Sequence, residues 1–146
     1  MRSNKRYTNT TFTKRVDHEE GLRPMRHALE PLVCKGRGTF YLHQHWTNAR
    51  DVPRKKRPSL GLAFPTLCPA CRQQREALPR GFVHLDGTFL SLHREEIERL
   101  LSNAANRATE NNPLARILGW ERSGIRQITV KTTTEHLAQR LGHELQ

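Results

Sequence analysis

The sequence predicts an α+β fold: a small cysteine-bearing module, then a helix and a β-hairpin–helix unit, preceded by a disordered basic N-terminal arm. Three observations predict it. Residues 1–29 hold few aliphatics and follow no sustained period of either kind. Cys34, Cys68 and Cys71 all fall in a turn-rich middle stretch. Beyond residue 81, one helical apolar stripe and one capping signal bracket short strand-like segments.

The arm comes first, and it is where the charge concentrates. Residues 1–58 carry 14 Lys and Arg against 5 Asp and Glu, whereas residues 59–146 carry 11 against 9. Arginine outnumbers lysine 19 to 6. A guanidinium grips phosphate bidentately and stacks on bases, so an arginine-heavy arm suits a polyanion. Arg2, Lys5, Arg6, Lys14, Arg15, Arg23 and Arg26 are its candidate phosphate contacts. An anionic membrane surface fits less well, because the arm has no amphipathic apolar face.

The second segment, residues 30–80, is read as the cysteine module. Gly36, Arg37 and Gly38 are turn chemistry, and Thr39 to Trp46 is rich in strand formers. Asp51 to Pro58 is a proline-bracketed basic loop whose Arg54, Lys55, Lys56 and Arg57 serve as connector and phosphate contact together. Pro65 to Cys71 reads as a tight turn, followed by one or two helical turns over 72–78 that Pro79 and Gly81 stop.

The third segment, residues 81–146, is read as a small α/β unit. Gly81 to Leu85 is a strand. Ile97, Leu100, Leu101, Ala104, Ala105 and Ala108 form one stripe of a helix that starts near Ser91 to Arg94 and ends at Asn111–Pro113. Strands over 114–120 and 125–131 flank a turn at 121–124. Thr132 and Glu135 have capping-box spacing for a last helix bearing Leu137, Ala138, Leu141 and Leu145.

Cys68-Pro-Ala-Cys71 has the form of a zinc knuckle, since two thiolates from one tight loop can meet a tetrahedral ion. A four-coordinate site needs a second pair. Cys34-Lys35-Gly36-Arg37 has a knuckle's shape, but Arg37 stands where the second thiol would be. His43 and His45 are the nearest substitutes, which makes a three-cysteine, one-histidine zinc site the expectation; a metal-free, packing-held relic is the alternative. A redox role for Cys68 and Cys71 is disfavoured, because no βαβ start with a hydrophobic strand precedes the first thiol. An odd cysteine count with one close pair suits reduced thiols and a cytoplasmic setting.

Several function classes are excluded or disfavoured. The longest apolar runs are too short to span a bilayer, and no signal-peptide core opens the chain. The basic, acid-free first 15 residues lack the amphipathic helix of a transit peptide. No phosphate-cradling glycine loop, nucleophile elbow or His-Glu-x-x-His motif is present, so no enzyme is expected.

Three stretches then carry a resemblance. They are Pro31-x-x-Cys34 through Tyr41 and Trp46; Leu67 to Cys71 with Pro79-x-Gly81-Phe82-Val83; and Pro113 to Ile117 through Val130 to Ala138. Together with Phe89 to Ile97, the chain over about 30–145 resembles small bacterial zinc-ribbon proteins. Those in turn resemble the N-terminal zinc-binding region of the archaeal and eukaryotic large-ribosomal-subunit export adaptor. The resemblance implies a zinc-ribbon-like module, degenerate at one ligand, acting at a ribosome or on structured RNA. Its ligand positions map to Cys34, Cys68 and Cys71, with Arg37 at the fourth. Such proteins tend to continue into a final strand past the position of Gln146, so the closing edge of the α/β unit is expected to be missing here.

The expected function is therefore non-enzymatic binding to ribosomal RNA or the ribosome. The arm, the 54–57 loop, Lys35 and Arg37 would contact phosphate, and Tyr7, Phe12, Tyr41 and Trp46 are stacking candidates, although packing is the stronger expectation for the last two. A protein–protein adaptor and a DNA- or transcription-associated binder are the alternatives. The 94–108 helix places Arg99, Asn103 and Asn106 on one face, but Glu95 and Glu110 beside them would repel phosphates flanking a groove.

Overall fold

The computed structural model describes residues 31–57 and 63–146. The candidate contacts Arg2, Lys5, Arg6, Lys14, Arg15, Arg23 and Arg26 lie outside the described residues, as do Tyr7 and Phe12. Within them the fold is α+β, with three α-helices and two sheets.

The first sheet is short-stranded and built around the cysteine module. It comprises β1 (Leu32–Cys34), β2 (Phe40–Leu42), β3 (His45–Thr47) and β4 (Phe64–Thr66), in the order β3-β2-β1-β4. The single strand expected over Thr39 to Trp46 is in fact a hairpin. His43 and Gln44 both adopt left-handed backbone, φ 51° and 66°, between the paired Leu42 and His45. Positive φ at both central residues gives the turn the hand that matches strand twist, and here it is reached without glycine. β4 runs parallel to β1 at the sheet edge, where Pro65 deprives no neighbouring strand of a donor. Beneath this sheet lie Val33, Phe40, Val52 and Ala63.

The second sheet holds β5 (Gly81–Asp86), β6 (Ile117–Ser123) and β7 (Gln127–Thr132), all antiparallel in the order β5-β7-β6. Alternation sends Val83, Ile128 and Val130 to one face. That face is covered by Leu101, Ala104, Ala105 and Ala108 of α2 (Thr88–Asn111) and by Leu137, Ala138 and Leu141 of α3 (Glu135–His143). Full burial of each Leu, Ile or Val here contributes roughly 1.5–3 kcal/mol, which makes this the main core.

Boundaries differ from the sequence expectation in three places. α2 begins at Thr88, but His93 breaks the helical backbone (φ −121°, ψ 24°), so its regular part starts at the predicted 94. Leu100 leaves the predicted stripe for solvent, and the stripe narrows to residues that face the sheet. Thr134, not Thr132, caps α3, its hydroxyl accepting the Leu137 N–H at 3.1 Å. Thr132 is already committed to β7, opposite both Gly81 and Ile117.

The two sheets are joined through polar contacts to backbone. The Asn48 amide donates to the Thr109 and Glu110 carbonyls at 3.1 and 3.0 Å, satisfying acceptors that the end of α2 leaves open. Gln73, in α1 (Pro69–Glu76), donates to the Thr133 carbonyl at 2.9 Å. No helix among the described residues is long and apolar enough to cross a membrane.

Gly81 is where the second core is tightest. A Cβ there would meet the Thr132 hydroxyl, the Thr134 carbonyl at 2.6 Å and the Ala138 methyl at 2.8 Å. Gly81→Ala should therefore lower unfolding free energy by about 1–3 kcal/mol in urea titration. Gly142→Ala, in α3 with open space around its Cβ position, should raise it by up to ~1 kcal/mol. Equal midpoints for the two variants would contradict this packing.

Candidate metal centre

Strand β1 ends in Cys34, and the chain then turns through Lys35, Gly36 and Arg37, all exposed. The turn is closed by Gly38 N–H to the Cys34 carbonyl and by Lys35 N–H to the Thr66 carbonyl, each at 2.8 Å. A side chain at position 36 would place its Cβ 3.0 Å from the Cys71 sulfur, so glycine there lets the two thiol-bearing segments close on each other. On the other side, Cys68 caps α1 and Pro69 occupies its first turn, where a missing N–H costs nothing. The tight turn expected over Pro65 to Cys71 is thus the end of β4 followed by the start of a helix.

The result is a cluster of three free thiols. The sulfurs of Cys34, Cys68 and Cys71 all lie within 4.8 Å of one another, with Cys34 and Cys71 3.6 Å apart. Backbone amides point at them: Cys68 N–H at the Cys34 sulfur and Cys71 N–H at the Cys68 sulfur, both at 3.4 Å. Burial raises the Cys34 thiol pKa, but the amides of Cys68, Gly36 and Arg37 and the Cys71 thiol outweigh it and hold the group at about 7. Burial pushes Cys68 up to about 11, with the Cys71 amide and the Arg116 charge acting against it. Trp46 and Leu114 wall the cluster, and the Trp46 ring lies 5.4 Å from that of buried Tyr41, so both aromatics take part in packing.

A fourth side chain reaches the cluster from the segment that leads into β6. Arg116 is only 4% exposed, and its guanidinium forks onto two sulfurs, one nitrogen 3.2 Å from Cys71 and the other 3.5 Å from Cys68. Its Nε donates to the Pro113 carbonyl at 2.9 Å. Thr133, also buried, fixes the segment: its hydroxyl accepts the Arg116 N–H at 2.8 Å and donates to the Leu114 carbonyl. Among the described residues no carboxylate pairs with Arg116.

Comparison with family models, with curated proteins and with solved structures finds no match to this chain. What the centre can do is therefore read from its own donors. Sulfurs at ~2.3 Å from a tetrahedral ion are ~3.8 Å apart, close to the 3.6 Å between Cys34 and Cys71. Cys34 and Cys71 are thus spaced for two corners of such a site, and Cys68, within 4.8 Å of both, is near enough to supply a third. The expected histidines are not among them: His43 and His45 are exposed at the β2–β3 hairpin, with the His45 ring nitrogen 3.1 Å from the His43 carbonyl. Arg37, at the ribbon's fourth position, is exposed in the turn.

The cationic candidates scatter over the first module's surface. Arg54, Lys55 and Lys56 sit exposed on a 3₁₀ turn, and Arg57 anchors that turn by donating to the Val52 carbonyl at 2.9 Å. Sequence reasoning missed Arg116 and Thr133. An arginine in a Leu-Ala-Arg-Ile run carries the signature of a surface strand residue, and nothing local marks it as buried.

Thr133→Val removes the hydroxyl while keeping the shape, leaving the Arg116 amide and the Leu114 carbonyl without that partner. It should cost about 1–3 kcal/mol in denaturant unfolding. An unchanged midpoint would show that Thr133 does not fix this segment.

Proposed function

We propose that this chain is a non-enzymatic, cytoplasmic RNA-binding protein that works at ribosomal RNA or the ribosome. In this reading a zinc-ribbon-like module, with zinc held by Cys34, Cys68 and Cys71, is the scaffold. The metal supplies a structural cross-link, whose binding free energy adds to folding. Binding itself belongs to the cations.

The observation that carries the reading is the charge. The chain has a net charge of +11, nearly all of it in residues 1–58. Within the described part of that stretch, Lys35, Arg37, Arg54, Lys55 and Lys56 are exposed. Arginine and lysine grouped this way contact phosphate by charge, with specificity left to the shape of the RNA. The small module gives these cations a fixed platform, since the 53–57 turn is closed by backbone bonds from Lys56 and Arg57 to the Pro53 carbonyl.

A second reading, a protein–protein adaptor, is favoured by one feature. Phe89, Leu92 and Ile125 expose large apolar side chains near the start of α2 and at the β6–β7 turn, with Leu92 80% exposed. Salt separates the two. RNA affinity of the full chain should fall linearly on a log–log plot against salt. Replacing Arg54, Lys55 and Lys56 by Ala should flatten that slope by about 2, at ~0.7 per lost contact to a single strand. A binding partner held with little salt dependence, and no change in the triple variant, would move the assignment to the adaptor.

A further inference from the structure

Arg116 is unusual on two counts. It is a buried cation without a described carboxylate, and it reaches from the segment before β6 into a thiol cluster built by the end of β1 and the first turn of α1. A guanidinium stays protonated in any protein environment, so its charge must be balanced where it lies. Among the described residues, the groups within its reach that can become anions are thiols.

Charge counting gives this a direction. Three thiolates on a divalent ion leave one net negative charge, which is costly to bury alone. One guanidinium at hydrogen-bond distance from two of those sulfurs cancels it. The fork geometry matters as well as the charge: two nitrogens address two different sulfurs, an arrangement that an ammonium on a flexible stem does not reproduce. Partners that hydrogen-bond to metal ligands in this way orient them and tune affinity.

We propose that Arg116 is the built-in counter-cation of a three-thiolate divalent-metal site, holding Cys68 and Cys71 for the ion and making the loaded cluster neutral. The inference rests on the metal reading given above. It makes Arg116 a positioning residue, not a ligand. It also makes metal loading a means of fastening three segments together, since Cys34 ends β1, Cys68 and Cys71 lie on the first turn of α1, and Arg116 lies in the segment that enters β6.

The test is competition of the full chain against a chromophoric chelator for zinc, on the wild type, Arg116→Lys and Arg116→Gln. Cobalt spectra of each report whether the sulfur ligands are intact. The expected order is wild type tightest, Arg116→Lys several-fold weaker, and Arg116→Gln about 10- to 100-fold weaker, with cobalt bands at the same positions in all three. A Gln variant that binds as the wild type does would overturn the proposal. So would a Lys variant as weak as the Gln, because charge would then have no part in the effect. Should the Gln variant not fold, the Lys variant decides alone: several-fold weakening supports the proposal, and unchanged affinity overturns it. A wild-type chain that fails to compete for zinc would sink the metal reading itself, and this inference with it.

Discussion

A guanidinium buried against two thiols is the constraint on which the rest of this structure hangs. Leaving such a charge uncompensated costs roughly several kcal/mol, a large share of what holds a domain of this size together. The fold sets two sulfurs against the guanidinium and packs a third beside them, the three coming from two separate chain segments. Cys34 arrives at the end of β1, while Cys68 and Cys71 arrive on the first turn of α1. Gly36 leaves room for the Cys71 sulfur, and Thr133 holds the backbone from which Arg116 reaches across. Each of these features has little reason to exist without the others.

The same cluster explains how two small sheets act as one body. The first sheet has strands of three residues and a core of a few side chains, too little to stand by apolar burial alone. It leans on the second unit through Asn48 at the end of α2, Gln73 at Thr133, and the Arg116–thiol fork. A cross-link at the cysteines would act where the apolar core is thinnest. With that cross-link in place, the basic residues 54–56 would sit on a stiffened platform.

Much of the second unit was legible in the sequence. The alanine-rich stripe of α2, strand β5, the β6–β7 hairpin and the apolar face of α3 are local periodicities, and a period survives folding when packing agrees with it. What was not legible is non-local. β4 contains a proline and pairs with β1 at positions 32 residues apart, so no local pattern announces it. The hairpin at His43 and Gln44 lacks the glycine or asparagine that would have marked its left-handed turn. At the candidate centre, the three cysteines were readable from type and spacing. The fourth partner was not: a histidine was expected because histidines ligate metals, and the group at the sulfurs is a buried arginine 45 residues beyond Cys71.

In the proposed reading the basic surface and the thiol centre have separate jobs, one of contact and one of support. In the proposed centre, three sulfurs share one ion. X-ray absorption at the zinc edge of the full-length protein reads the ligand shell directly. Three sulfur neighbours at ~2.3 Å with a single lighter atom is the predicted result. A shell made mostly of nitrogen and oxygen would contradict it.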